Sequence, residues 1–294
     1  MIAEKKANLI ITLIFGVLVA VTLFPVLLTV SIAFSSSDSI MNFGYSIWPH
    51  EFSTEAFKYI FKTPQTIIRA YGITIFITVV GTLLSTLTIM LYAYALSRKD
   101  FVGRRLLTFY IFFTMLFSGG TVSWYIVCTS YYHLANTVWA MILPYVMNVW
   151  NIIILRTFFQ SSVPISIIES GKLDGAGEWR VLFKLVVPIA VPGIATIALF
   201  RTLQYWNDWW LPIMFIVKPE LYNLQFLLQR MMQNIQQLNQ NSQLAANASE
   251  RLMKIPSDGA RMALCLIAMG PILVVYPFFQ KYFIQGLTIG SLKG

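Results

Sequence analysis

Arg201, Gln204 and Asp208 follow one another at spacings of three and four in a stretch that is otherwise apolar. On a helix this spacing makes one polar stripe, and charges inside a membrane helix face the bundle interior or a wet cavity. Arg201 and Asp208 lie two turns apart, about 10 Å at 1.5 Å per residue, so direct pairing needs help from Gln204 or a neighbouring segment. The stripe fits either a passage for a polar solute or glue between subunits. Catalysis is not indicated. His50 and His133, the two histidines, are far apart and lack partners at metal-ligand spacing. No nucleophile, base and acid combine into a triad, and no Gly-x-x-x-x-Gly-Lys-Ser/Thr stretch is present to cradle phosphate. Cys128 and Cys265 sit inside separate apolar runs and read as buried small hydrophobes rather than as a disulfide or metal pair.

The elements that must position these residues are membrane helices. The chain is 57% hydrophobic and 11% charged, with a mean hydropathy of +0.69, against roughly 25% charged in soluble domains. Apolar runs long enough for a bilayer imply helices, and the short alternating segments of a barrel are missing. The first run is too long for a signal-peptide core and lacks a small-residue cleavage site, so it reads as a retained span. We expect an all-α membrane protein, residues 1–294 forming a single transmembrane domain with six spans at about 8–34, 70–97, 106–128, 135–158, 188–217 and 261–284. Lys5 and Lys6 precede the first span, and Arg98, Lys99, Arg104 and Arg105 crowd the loop after the second, whereas Tyr131-Tyr-His-Leu134 carries no Lys or Arg. Both termini are therefore expected in the cytoplasm, with 159–187 cytoplasmic and 35–69 and 218–260 outside. The same topology accounts for the net charge of +9 without nucleic acid. Gln225 to Asn247 is rich in Gln and Asn but keeps apolar positions at helical spacing, which favours a helix. Asn247-Ala-Ser249 fits a glycosylation acceptor, a triplet too common by chance to carry weight.

The cytoplasmic segment 159–187 has its own grammar. Pro164 after Ser161-Ser162 predicts a helix start, a short helix through Lys172 follows, and Asp174-Gly175 signals its end. Helical spacing resumes from Glu178, with Trp179, Leu182, Phe183 and Val186 on one face, so two short helices at an angle are expected. An amphipathic hairpin on the membrane surface would satisfy these features alone.

The spacing of Glu169, Gly175 and Pro188 resembles the signature loop of bacterial ABC importer permeases: Glu-Ala-Ala, three residues, Gly, nine residues, Ile, any residue, Leu-Pro. Here it reads Glu169-Ser170-Gly171, Gly175, Leu185, Val187-Pro188. Asp174-Gly175-Ala176, Pro192, Tyr205-Trp-Asn-Asp-Trp209 and the ending Gln285-Gly-Leu-Thr-Ile-Gly-Ser-Leu-Lys-Gly294 are similar to the carbohydrate branch of that family, and most resemble its complex-oligosaccharide subgroup. The resemblance implies the type I ABC importer permease fold in a bacterial cytoplasmic membrane, with a cytoplasmic coupling helix that docks in a cleft of the ATPase subunit. Ile165 and Ile168 would anchor it, Glu169 would meet basic groups at the rim, and Ser170, Gly171, Asp174, Gly175 and Ala176 would complete the coupling surface. The departure at Gly171 suggests a tight partner cleft or an early helix end. The resemblance further implies a second, nonidentical permease subunit, two ATPase subunits that bind ATP and Mg, an extracytoplasmic solute-binding protein and a sugar or oligosaccharide substrate; this chain itself would hold no cofactor and no metal. Within that frame Asn148, Asn151, Tyr205, Asp208 and Trp209 are expected along the sugar path, where aromatic faces stack on sugar C–H groups and polar groups meet hydroxyls. A permease for peptide or phosphate is the alternative within the family. A secondary transporter or channel is the alternative outside it, but would usually show internal repeats.

Overall fold

The computed structural model describes residues 2–62, 64–242, 258–273 and Pro277. The chain divides into two compact units, Met1–Ile67 with Leu228–Pro271, and Ile68–Leu227 with Ile272–Gly294. Among the described residues the structure is helical, apart from turns and one isolated antiparallel bridge between Ser35 and Phe52.

In the first unit, α1 (Ile2–Ala33) contains an apolar stretch, Asn8–Ala33, none of whose most hydropathic window is buried. A helix apolar on every side and uncovered by protein belongs against lipid. Ser36 then caps α2 (Ser37–Phe43), its hydroxyl accepting from the Ser39 N–H at 3.2 Å. Phe34 stacks on Phe52 with ring centroids 5.4 Å apart and meets Phe57 at a tilt at 4.8 Å, which joins the end of α1 to α3 (Glu55–Ile60). Residues 258–273 are helical and enter this packing at Gly259, where a Cβ would stand 3.4 Å from that of Ala56.

The second unit is built on α4 (Pro64–Ser97), α5 (Arg104–Leu116), α6 (Thr121–Ile126), α7 (Val149–Ser162) and α8 (Ile165–Leu173). After α8, α9 (Glu178–Arg180), a π-helical turn (Val181–Val186) and α10 (Val187–Trp206) run on as one long helix, followed by α11 (Trp210–Phe215). Its core joins Ile89 and Leu96 of α4 to Ile111 of α5, Leu155 and Phe159 of α7, Ile168 of α8, and Leu182, Val186 and Ile197 of the long helix. The Gln-rich segment forms α12 (Leu224–Ser242), as its periodicity predicts, with Leu224, Leu228 and Ile235 buried.

The spans differ from expectation in three places. Among the described residues, three helices are long and apolar enough to cross a membrane, or up to five if each bent pair counts as one. The segment expected as 106–128 bends by 115° between α5 and α6, where Ser118-Gly119-Gly120 interrupts the helix and Gly120 takes φ +82°. The segment expected as 135–158 starts with 3-10 turns and bends by 49° before α7. The segment expected as 188–217 instead begins at Glu178 and ends at Trp206. Pro188 lies inside this helix because the wider π turn before it relieves both the missing N–H and the clash of the proline ring with the preceding turn. The two short helices expected in 159–187 are therefore one short helix and the first turns of a long one. Of the expected span 261–284, residues up to 273 are helical and most of the rest lies outside the described residues, as do 247–249 and 285–294.

Candidate functional site

The segment after α7 folds as its punctuation dictates. Pro164 sits at the N-cap of α8 with φ −61°, one position before the first helical residue. At the other end Asp174 is the C-cap and Gly175 takes φ +79°. The Gly175 N–H donates to the Lys172 carbonyl at 3.0 Å and the Ala176 N–H to the Gly171 carbonyl at 2.9 Å. These are the paired bonds of a Schellman motif, which needs a left-handed residue where Gly175 stands. Nothing lies within 4 Å of a Cβ at Gly175, so the requirement there is the backbone angle alone.

Two of the expected coupling residues face inward. Ile168 is 8% exposed and belongs to the core, and Gly171 is buried with the place of its missing Cβ 2.6 Å from Leu185 Cδ1. Ile168 therefore anchors α8 to its own chain and not to a partner. Gly171 neither ends the helix nor points at a partner cleft; it lets α8 lie close against the π turn. Ala176 is half-buried beside the same core. The outward face carries Ile165 and Glu169, with Ser170, Asp174 and Gly175 also exposed, and adds Leu173, 89% exposed, which sequence reasoning missed. The expected apolar face of Trp179, Leu182, Phe183 and Val186 also splits. Leu182 and Val186 are buried, while Trp179 and Phe183 stack on each other in the open at 6.0 Å.

A charged clasp fixes the base of α8. Lys172 Nζ lies 2.8 Å from Asp100 Oδ2 and 2.6 Å from Glu178 Oε1. Arg98 donates to both Asp100 oxygens, at 2.9 and 2.6 Å, and the Tyr94 hydroxyl donates to Glu178 Oε2 at 2.7 Å. The loop after α4, the end of α8 and the start of the long helix are thus tied at one point. Hydrogen bonds from Arg98 and then Lys172 hold the Asp100 carboxyl well below the usual carboxylate range. Its bonds to Asp100 and Glu178 push the Lys172 amine up.

At the other end of the long helix, Arg201 is buried. Its guanidinium donates to Gln204 Oε1 at 2.5 Å and to the Tyr145 carbonyl, and lies 5.3 Å over the Tyr205 ring. The Tyr145 hydroxyl donates to Asp208 Oδ1 at 3.2 Å. Arg201 and Asp208 do not pair directly; Tyr145 stands between them. Asp208 also lies beyond the helix end and not on its stripe, where Oδ1 accepts from the Trp210 and Leu211 N–H groups at 3.2 and 3.4 Å. Asn223 Nδ2 donates to the Asp208 carbonyl at 2.5 Å. Asp208 Oδ2 is buried and, among the described residues, has no hydrogen-bond partner.

The remaining expected path residues separate into two groups. Tyr205 is fully buried, its hydroxyl donating to the Ile142 carbonyl at 3.0 Å and its ring 2.6 Å from where a Cβ on Gly81 would lie. It supports the cluster from behind and lines no surface in this conformation. Asn148 caps α7, its side chain accepting from the Asn151 N–H at 3.0 Å, and Asn151 is buried. Trp209, 45% exposed, meets Trp210 edge-on at 6.1 Å and offers an open ring beside Asp208.

A helical membrane chain with a short capped helix clasped beneath its long helix has the architecture of an importer permease. Residues 86–289 match the family described as the binding-protein-dependent transport system inner membrane component, and the chain belongs to that family. It is 38% identical over 277 residues to protein LplC of Bacillus subtilis, covering 94% of this chain and 90% of that one. It is 35% identical over 292 residues to the polygalacturonan/rhamnogalacturonan transport system permease protein YtcP of the same organism, covering 98% and 100%. The fold matches the crystal structure of a bacterial ABC transporter involved in the import of the acidic polysaccharide alginate, with a TM-score of 0.79 at 27% identity over 96% of this chain and 98% of that one. The chain is accordingly a permease subunit of an ABC importer, a membrane component and not a catalytic one.

Proposed function

We propose that this permease moves an oligosaccharide inward through a bacterial cytoplasmic membrane, as one permease domain of six spans with both termini in the cytoplasm. It works with a second permease subunit, two ATPase subunits that bind ATP and Mg, and an extracytoplasmic binding protein. The observation that carries this reading is α8, a helix clasped to its own chain through Lys172, Asp100 and Glu178 that turns Ile165, Glu169 and Leu173 outward. These three residues make an apolar contact with an acidic group at its edge, suited to a cleft with a basic rim. Ser170, Asp174 and Gly175 continue that surface. Because α8 packs on the π turn through Gly171 and Leu185, a push on α8 passes into the long helix and toward the cluster at its other end.

That cluster supports the substrate class. Asp208 keeps one carboxylate oxygen unpartnered among the described residues, and Trp209 presents an open aromatic face beside it. Trp209 stacks on a sugar ring, while Asp208, Asn148 and Asn151 meet hydroxyls as the subunits move. The names of YtcP and of the alginate importer, both concerned with polysaccharides, support the same class.

The test is purification of the tagged chain from its native membrane, followed by uptake of radiolabelled oligosaccharides in cells lacking it. An ATPase and a second permease should copurify, and loss of the chain should abolish uptake of at least one oligosaccharide. Purification without an ATPase, or unchanged uptake across a carbohydrate panel, would refute the proposal.

A further inference from the structure

A basic pocket lies where the loop after α4 meets the start of α5 and the side of α7. It is an open surface hollow of about 570 Å³ lined by four cationic side chains, Lys99, Arg104, Arg105 and Arg156, together with Thr108 and Phe109. No carboxylate is among its lining residues. Asp100, next in sequence to Lys99, is held by Arg98 and Lys172 instead. Arg156 Nε is buried and, among the described residues, has no hydrogen-bond partner. A half-buried guanidinium crowded by Lys99, Arg104 and Arg105 is stabilised by an anion placed among them. The pocket also opens at the N-terminus of α5, a helix of 13 residues with no side-chain cap; the Arg104 N–H there is taken by the Phe101 carbonyl at 3.1 Å, and the helix dipole favours negative charge.

We propose that this pocket binds the phosphate of an anionic phospholipid. The apolar surroundings select a lipid over a free phosphate. Val102 in the pocket wall is 99% exposed, and along α5 Leu106, Phe109, Phe113 and Leu116 are all exposed, continuing from the pocket as a surface for acyl chains. A free phosphate would use the cations and leave that surface uncovered, whereas a phospholipid satisfies both. The lipid would brace the loop that also carries Asp100, so its occupancy bears on the clasp beneath α8.

The intact permease complex, delipidated in a neutral detergent, would be titrated separately with short-chain phosphatidylglycerol, phosphatidylcholine and glycerol 3-phosphate, with retention read by native mass spectrometry. Phosphatidylglycerol should bind at concentrations at least tenfold below phosphatidylcholine, and glycerol 3-phosphate should neither bind comparably nor displace it. Arg105→Gln with Arg156→Gln should erase that preference, while Arg105→Lys with Arg156→Lys, which keeps the charge, should retain most of it. Equal retention of the two lipids, or an unchanged preference in the Gln variant, would overturn the proposal. Binding of glycerol 3-phosphate as tight as that of phosphatidylglycerol would assign the pocket to a free phosphate instead. Cross-linking of an acidic segment of another subunit to a cysteine at position 105 in the lipid-free complex would assign it to a protein.

Discussion

Tyr145 accepts a hydrogen bond from Arg201 through its backbone carbonyl while its hydroxyl reaches Asp208, so one residue carries the polar link that the two charges do not make themselves. The link can be cut at one end only. Tyr145→Phe keeps the carbonyl and its bond to Arg201 but releases Asp208 Oδ1. Folding should weaken by about 1 kcal/mol, typical of one hydrogen bond. Uptake should change more than stability does, because Asp208 Oδ1 is then held by the Trp210 and Leu211 N–H groups alone and the carboxylate is less firmly oriented. Arg201→Ala should destabilise more, because it leaves a cavity and strips Gln204 Oε1 and the Tyr145 carbonyl of their donor, and would be seen as reduced assembly. Thermal denaturation of the purified complex separates the two cases.

Asp208→Asn, which keeps an acceptor for the Trp210 and Leu211 N–H groups, and Trp209→Ala should each lower uptake at least severalfold while leaving assembly and basal ATP hydrolysis intact. The aromatic variant should raise the half-saturating sugar concentration, since an open ring contributes binding more than structure. Normal uptake in both variants across a range of sugar concentrations would remove these residues from the path.

Gly175 is required for its φ of +79° and not for space. Gly175→Val should therefore insert and assemble but lose solute-stimulated ATP hydrolysis, because a β-branched residue is strongly disfavoured at that angle. Gly175→Asn should retain a measurable part, since Asn enters the left-handed region far more readily. The measurement is ATP hydrolysis by the reconstituted complex with and without loaded binding protein.

Gly171 makes the opposite demand. A Cβ there collides with the tip of the Leu185 side chain, which can swing aside, and otherwise makes ordinary contact with Val181 Cγ2 at 3.8 Å, so Gly171→Ala should be nearly silent. Gly171→Leu should lift α8 and reduce stimulated hydrolysis severalfold, and adding Leu185→Ala should restore most of it. Additive losses in the double variant would show that the two residues do not share this contact.

The clasp has a defined pH window. The folded Asp100 pKa is lowered from an ordinary value near 3.8, so its contribution is present above that value and is lost as pH falls further, through the folded pKa. The folded Lys172 pKa is raised from 10.5, so its contribution is intact below that value and fades as pH rises through the raised one. The clasp should thus add no pH dependence to coupling between about pH 5 and pH 9. Asp100→Asn should lower stimulated hydrolysis at every pH in that range, and a new pH dependence in the unmodified protein there would count against the clasp.

The legible parts of this site were those written in neighbouring residues. Pro164, Asp174 and Gly175 act on the backbone beside them, so the start and end of α8 follow from the sequence to within a residue. The clasp was not legible, because Asp100 and Lys172 are 72 positions apart and only the fold brings them together. Ile168 was misread as an outward anchor because Ile165 and Ile168, three residues apart, share one face of a nine-residue helix, and the pattern does not say where the edge of the core crosses that face. The break after Trp206 did leave a signal: Asn207-Asp208 is a helix-ending and helix-capping pair, outweighed in a sequence reading by the apolar run around it. The π turn left its one signal in Pro188, which stands at the second position after it.

If the outward face of α8 engages the ATPase, Leu173, exposed and beside the Gly175 turn, lies at that contact. A single cysteine at position 173, in a background without Cys128 and Cys265, would be treated in whole membranes with a short thiol-to-amine cross-linker. The account predicts one product containing this chain and the ATPase, and protection of the cysteine from an impermeant thiol reagent added outside intact cells. Labelling of position 173 from outside, with no cross-link to the ATPase, would contradict it.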